Sequence, residues 1–366
     1  MYENTGTAGA PPAIRPLYTS EERARRDATS WTLVQGVLAP LQFLVFLISV
    51  VLVLRFLQTG QGETEATVSI VIKTLLLYTI MITGCIWEKV VFDCYLFAPP
   101  FFWEDVVSMG VMVLHTLYVL AWWFQLLDPA EQLWLALAAY ATYVVNATQF
   151  LLKLRAARLQ EAVAAHGRGD LDEALRLYRR ILEAEPFQVD ALNLAGLALI
   201  NRGDFAGAAA FLVRAISADP GFAEALNHFA LVLLRTGQPL PALRILLRAL
   251  AIKPMFVEAH ANCGSALFEL REWRQAAACY DQALAIRPDY ADAHANRANA
   301  LQLLGALDEA RPGYRRSLVF RPDLAEAHSN LASLDQAEGD LPAAITRFRR
   351  ALALRPAPWL HSNLLF

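Results

Sequence analysis

The stretch 84–107, GCIWEKVVFDCYLFAPPFFWEDVV, crowds Glu88, Lys89, Asp93, Glu104 and Asp105 among Trp87, Phe92, Tyr95, Phe97, Phe101, Phe102 and Trp103. Carboxyl groups in an aromatic, partly dry setting keep a proton nearer neutral pH than exposed ones, which suits proton donation. A loop that only crossed lipid headgroups would also carry rings, as an aromatic belt, with a few solvated charges. It would have less use for two glutamates each placed directly after a tryptophan. The chemistry this predicts is general acid–base work.

The elements that must position these residues follow from the rest of the chain. Its 366 residues are 56% hydrophobic and only 18% charged, too apolar for an ordinary soluble protein. The average hides a split. Up to about residue 152 the chain holds long charge-free runs; beyond it the sequence is Ala-, Leu- and Arg-rich with regular polar spacing. The net charge of -3 and the absence of any evident basic stripe argue against a nucleic-acid partner. Cys85, Cys94, Cys263 and Cys279 show no metal-ligand spacing and read as free buried thiols in a reducing compartment. No phosphate loop, dinucleotide fingerprint, zinc motif or nucleophile elbow is present.

Residues 1–28 read as a basic cytoplasmic leader, disordered over its Pro-, Gly- and Thr-rich first half. It does not have the form of a signal peptide. Four spans follow: 28–54, about 67–87 (interrupted by Lys73), 106–127 and 133–152, each near the roughly 20 residues needed to cross a bilayer. Arg23, Arg25, Arg26, Lys89, Lys153, Arg155 and Arg158 flank one side and acids the other, with Arg55 the exception. That balance predicts both termini and the 84–107 stretch on the cytoplasmic side.

From residue 155 a repeat begins. Prolines stand at 186, 220, 254, 288, 322 and 356, a spacing of 34 throughout. Twelve residues before each is an alanine, from Ala174 to Ala344, and eight before each is Tyr178, Leu212, Leu246, Tyr280, Tyr314 or Phe348. Gly169, Gly203, Gly237, Gly305 and Gly339 mark the turn inside each unit, with Arg271 once in place of glycine. This matches the tetratricopeptide pattern, so six repeats over 155–356 predict an α-solenoid with a concave face. The final PWLHSNLLF opens a seventh first helix. No Gly or Pro interrupts 147–166, so the fourth span is expected to run into the first solenoid helix as one rod. The fold class is therefore all-α: a four-helix transmembrane bundle over 29–154, followed by a solenoid over 155–366.

Charged residues within a bilayer are costly, about 2.5–3.5 kcal/mol each on insertion scales, and so mark function by default. Lys73 lies fifteen residues from Glu88, or about 22 Å along a helix, and is expected to snorkel or to pair with Glu63 or Glu65. His115 reads either as a core histidine bonded to a carbonyl or, more sharply, as a metal ligand or proton relay. Asn146 and Gln149, at i and i+3, suit interhelical hydrogen bonding and substrate contact about equally, as do Gln35 and Gln42.

The segments WTLVQGVLAPLQFLVFLISVVLVLR, GCIWEKVVFDCYLFAPPFFWEDVVSM and LALAAYATYVVNATQFLLKLRAARLQ resemble the 3-vinyl (bacterio)chlorophyllide hydratases over about 17–160. The resemblance implies addition of water to the 3-vinyl group of a chlorophyllide, giving a 3-(1-hydroxyethyl) product within bacteriochlorophyll synthesis. It also implies a bacterial inner membrane. Departures from the family pattern are Pro99-Pro100, the Asp93-Cys94 pair and the solenoid itself. Role assignment rests on chemistry. Protonating the terminal CH2 gives a cation delocalised into the macrocycle, which water then attacks; this needs a protonated carboxylic acid and a base. Glu88 or Glu104 is the expected acid, with Asp105 or the other glutamate as base. Trp87, Trp103, Lys89 (toward the substrate's propionate), His115 (toward its magnesium), Asn146 and Gln149 are expected to bind substrate. Hydration needs no cofactor, and the only metal expected is the magnesium inside the substrate.

The solenoid predicts a protein or peptide partner. Asn262, Asn296 and Asn330 stand eight residues after successive prolines, where a row of amides on the concave face either hydrogen-bonds an extended peptide or only bonds neighbouring helices. The competing reading of the whole chain is a membrane-anchored scaffold without activity. An anchor, however, has no use for both Trp-Glu pairs, His115 and Asn146.

Overall fold

The computed structural model describes residues 17–355, and among them every regular element is an α-helix. The expectations for 1–16 and for the terminal PWLHSNLLF lie outside the described residues. The chain divides into two compact units between Glu161 and Ala162, somewhat beyond the expected boundary at 154.

The first unit holds α1 (Ser20–Ala28), α2 (Ser30–Thr59), α3 (Glu63–Phe92), α4 (Phe102–Trp123) and most of α5 (Pro129–Gly167). The four helices from α2 to α5 are long and apolar enough to cross a membrane. Their packing follows membrane logic. Val53, Ala66, Ile70, Tyr118, Leu133, Ala136 and Tyr140 form the core, while Leu33, Val51, Leu75 and Leu151 are exposed. Small residues such as Ala66 and Ala136 let helix backbones approach closely. The third span ends at Trp123, short of the expected 127, because Gln125 adopts φ +53 and breaks the helix.

The basic half of the leader, outside the stretch expected to be disordered, forms α1. Thr19 and Glu22 form a capping box: the Glu22 amide donates to Thr19 Oγ1 (3.2 Å) and the Thr19 amide to Glu22 Oε2 (2.7 Å). Two otherwise unpaired amides at the helix start are thereby satisfied. Arg23 then pairs with Glu161 at 2.5 Å, which ties α1 to the unit.

The second unit is the solenoid. Its first repeat pairs the end of α5 with α6 (Leu171–Ala184), where the His166 and Tyr178 rings meet edge-on at 6.3 Å. Five further pairs follow: α7 (Val189–Arg202) with α8 (Phe205–Ala218), α9 (Ala223–Arg235) with α10 (Pro239–Ile252), α11 (Val257–Glu269) with α12 (Trp273–Ile286), α13 (Ala291–Leu303) with α14 (Leu307–Phe320), and α15 (Ala325–Ala337) with α16 (Leu341–Leu354). Every repeat alanine and every repeat ring or leucine named above is buried. Gly196 and Gly264 let paired helices close up: a Cβ there would sit 2.6 Å from Leu212 Cγ and from Tyr280 Cε1 respectively. The within-repeat turns all take positive φ, and Arg271 adopts +63° where its five counterparts are glycine. Burial pushes the Cys263 thiol up to about 12. All four cysteines are free, but Cys85, Cys94 and Cys279 are only half-buried, so the expectation of buried thiols holds for Cys263 alone.

Each of the last four repeats is also stitched internally by charge. Glu224 pairs with Lys253 (2.7 Å), Glu258 with Arg287 (2.9 Å), Asp292 with Arg321, and Glu326 with Arg355 (3.4 Å). His260, His294 and His328 each bond through Nε2 to the carbonyl of Pro254, Pro288 or Pro322 at 2.8–2.9 Å.

Candidate active site

The last turn of α3 carries Glu88 and the first turn of α4 carries Asp105; both side chains are buried. The loop between these helices folds back over them. Asp93 and Phe97 take positive φ, turning the loop so that the Phe97 amide donates to Asp105 Oδ2 (2.7 Å) and the Ala98 amide to Glu88 Oε2 (3.4 Å). The successive Phe97 and Ala98 amides thereby hold the two carboxyls close together. In a pair of neighbouring carboxyls, one group can carry a proton while the other accepts one. The pair can therefore offer a proton from one oxygen and accept one at another.

A wall of rings adjoins the pair. Trp87, Phe92 and Phe101 meet edge-on with centroids 5.7–5.9 Å apart. Tyr18 stacks on Phe92 at 5.7 Å, and Phe150 of α5 lies 6.2 Å from Phe101. Trp87 is fixed by its indole N–H, which donates to Thr32 Oγ1 at 2.9 Å.

The other expected residues divide. Glu104 stands apart from the pair in an ion pair with Lys153 (2.6 Å), whose ammonium also lies 5.0 Å from the Phe101 ring centre. Asn146 joins α5 to α4 by donating to Ser108 Oγ (2.6 Å), leaving its Oδ1 buried and unpartnered. Lys89 pairs with Asp93 at 2.7 Å on the surface. Trp103 is 69% exposed, packed edge-on to Phe102, and Gln149 is exposed as well. In place of Gln149, Phe150 meets Phe101.

His115 belongs to a second polar layer farther along the bundle. Its Nδ1 donates to the Val111 carbonyl (2.9 Å), which leaves Nε2 as a bare, buried acceptor. Lys73 lies in the same layer and neither snorkels nor pairs with Glu63 or Glu65. It is fully buried, its ammonium 4.0 Å from the Tyr143 ring centre, 5.2 Å from Tyr140 and 5.4 Å from Phe46. Three electron-rich ring faces stand where a counter-ion was expected. Ser49 bridges Ser69 (2.7 Å) and the Tyr140 hydroxyl (2.5 Å) beside it. In the solenoid, Asn262 donates to Asn227 (2.9 Å) and Asn330 to Asn299 (2.8 Å), so both amides bond across to an asparagine in the preceding repeat.

Sequence reasoning missed Tyr18 and Phe150, and placed Lys153 only as an extension of the polar row on the fourth span. The capping box was the signal for the first, since it fixes where the leader turns into the bundle. The row of α5 residues 143, 146, 150 and 153 was the signal for the others.

Known proteins match both units. Residues 18–156 match the family model described as 2-vinyl bacteriochlorophyllide hydratase; positions 2 and 3 are the same ring carbon under two numbering schemes. Tetratricopeptide models match 159–223, 199–263 and 264–305. A 2-vinyl bacteriochlorophyllide hydratase from Rhodobacter capsulatus is 68% identical over 151 residues, which cover 41% of this chain and 88% of that protein. The protein of the same name from Cereibacter sphaeroides is 67% identical, over 41% of this chain and 93% of its own length. For the solenoid, the crystal structure of PilW, a type IV pilus biogenesis factor, aligns with a TM-score of 0.53 at 20% identity, over 58% of this chain and 98% of that one, which supports the fold alone. The chain thus belongs to the 2-vinyl bacteriochlorophyllide hydratase family, extended by a run of tetratricopeptide repeats.

Proposed function

We propose that the chain is a hydro-lyase adding water to the ring vinyl group of a bacteriochlorophyllide-type substrate, with the Glu88–Asp105 pair as its acid–base centre. The observation that carries the assignment of residues is that two buried carboxyls are held by successive loop amides within a ring-rich stretch. The pair gives its proton to the terminal CH2, which becomes CH3, and the positive charge spreads into the macrocycle. Water adds to the inner carbon and its surplus proton returns to the pair, so that one water is added and the enzyme is regenerated. The Phe97 and Ala98 amides support the carboxylate oxygens between the two steps. Trp87, which is only partly buried, offers the macrocycle a ring contact, and Phe92 and Phe101 pack behind it. Glu104, held by Lys153, serves as a fixed negative charge at the site's edge.

No redox or group-transfer cofactor is required by this chemistry, and the magnesium enters with the substrate. His115 has the bare nitrogen an axial magnesium ligand needs. It stands ten residues from Asp105, about 15 Å along α4, farther than a macrocycle's centre lies from its own vinyl carbon. One substrate therefore does not engage both, and the acid pair takes precedence. The distribution of Lys and Arg supports a cytoplasmic placement for both termini. The solenoid serves as a protein-interaction module.

The test is an absorption assay on membranes containing the full chain, with mass analysis of the pigment. Turnover shifts the long-wavelength band to the blue and adds the mass of one water. Full turnover by both Glu88→Gln and Asp105→Asn would falsify the assignment of the pair.

A further inference from the structure

The solenoid's charges do not cancel evenly. The acids that open its first helices are neutralised by the cations that close the second helix of the same pair, as in Glu224 with Lys253 and Glu258 with Arg287. The second helices carry a separate column of cations. Arg180, Arg214, Arg248, Arg316 and Arg350 stand six residues before successive prolines, with Gln282 as the single interruption. All six positions are exposed, on the side away from the buried alanine and ring positions of the same helices. None of the five arginines enters an ion pair among the described residues; Arg214 donates to the Pro186 carbonyl at 3.0 Å. The helices α8, α10 and α16 contain no acid at all. The net charge of the chain conceals this column, which is interrupted by acids only locally, where Asp281, Asp308 and Glu309 line one depression with Arg316.

Five like charges held in register repel one another unless an anionic surface faces them. The column is all arginine, whose planar fork matches phosphate oxygens better than a lysine ammonium does. The same chain carries four helices apolar enough to enter a bilayer, so a phospholipid surface is present at high effective concentration. We propose that this second-helix face docks on the phosphate groups of anionic phospholipids. The first helices stay available to a peptide. The inference is independent of the hydratase assignment, and turnover serves as a check that each variant is folded.

The experiment uses the full chain in nanodiscs, with a fluorescent amino acid in place of Gln282, inside the column. Nitroxide-headgroup lipid is the quencher, in discs of phosphatidylcholine alone or mixed with phosphatidylglycerol. Quenching should be at least about threefold stronger in the anionic discs, and should vanish near 1 M salt, where the screening length falls to roughly 3 Å. It should also be lost in the variant carrying Arg180→Gln, Arg214→Gln, Arg248→Gln, Arg316→Gln and Arg350→Gln, with helical content and turnover retained. Equal quenching in the two lipids overturns the proposal. So does anionic-lipid quenching that the five substitutions leave untouched, or a response to an RNA oligonucleotide or polyglutamate in the absence of any lipid effect.

Discussion

In α2 to α5 large apolar side chains such as Leu33, Val51 and Trp123 are exposed, while Gln42, Ser49, Lys73, Glu88, Asp105 and His115 are buried. In the solenoid the order reverses. Alanines, leucines and rings fill the interior, and arginines cover the second helices. A helix facing lipid gains nothing by hiding leucine, so packing of small residues and interhelical hydrogen bonds must hold it. A helix facing water is held by the apolar area it buries. The difference separates two uses of burial. The solenoid's interior is repeated, unit after unit, and serves stability. The bundle's interior holds polar groups that the stability of a lipid-facing fold does not require, and there the proposed acid–base pair sits.

The sharpest way to break this comparison is at the acid pair. Glu88→Gln should lower turnover by about 10²–10⁴-fold, the usual span for a general acid or base, while leaving the melting behaviour of both units nearly unchanged; a rate assay paired with thermal unfolding reads both. Asp105→Asn should do the same, and Glu104→Gln much less. In the solenoid the expected effects exchange places. Tyr314 is fully buried, and Tyr314→Ala should cost about 3–5 kcal/mol of local stability, seen as faster proteolysis across α13 to α15, with turnover retained.

Lys73→Met tests whether the bundle's buried polar groups are a burden on stability. A charge at the centre of a membrane helix costs about 2.5–3.5 kcal/mol, and contact with ring faces returns about 2 kcal/mol. The substitution should therefore stabilise the bundle by roughly 1 kcal/mol, read as a raised melting temperature in detergent; a lowered one would mean that Lys73 has a counter-charge in the working protein. The smallest effect is expected at Arg271→Gly. A non-glycine residue at φ +63 carries strain that glycine does not, so the change should add about 0.5–1 kcal/mol to the solenoid, measured by denaturant unfolding. It should leave the bundle untouched.

Much of this molecule follows from local periodicity, which the chain displays directly. Charge-free runs of about 20 residues mark the spans, and a 34-residue spacing of proline, alanine and ring marks the solenoid. The left-handed turn at Arg271 is legible for the same reason, because its five counterparts are glycine. In the leader, the spacing of Thr19 and Glu22 carries the capping box that orders residues 20–28. What the sequence could not determine is which side chains meet. Glu104 and Asp105 are neighbours, and so lie about 100° apart around α4. Only one of them can face α3, and the symmetry of the two Trp-Glu pairs points to the wrong one. The rotation of α4 is set by its packing against α3 and α5, which places Asp105 on Glu88 and gives Glu104 to Lys153. The same holds for Lys73, whose aromatic box comes from α2 and α5, and for Asn262 and Asn330, which reach the preceding repeat. Spacing along a helix fixes the angle between its own residues, but only tertiary contact fixes the angle of the helix itself.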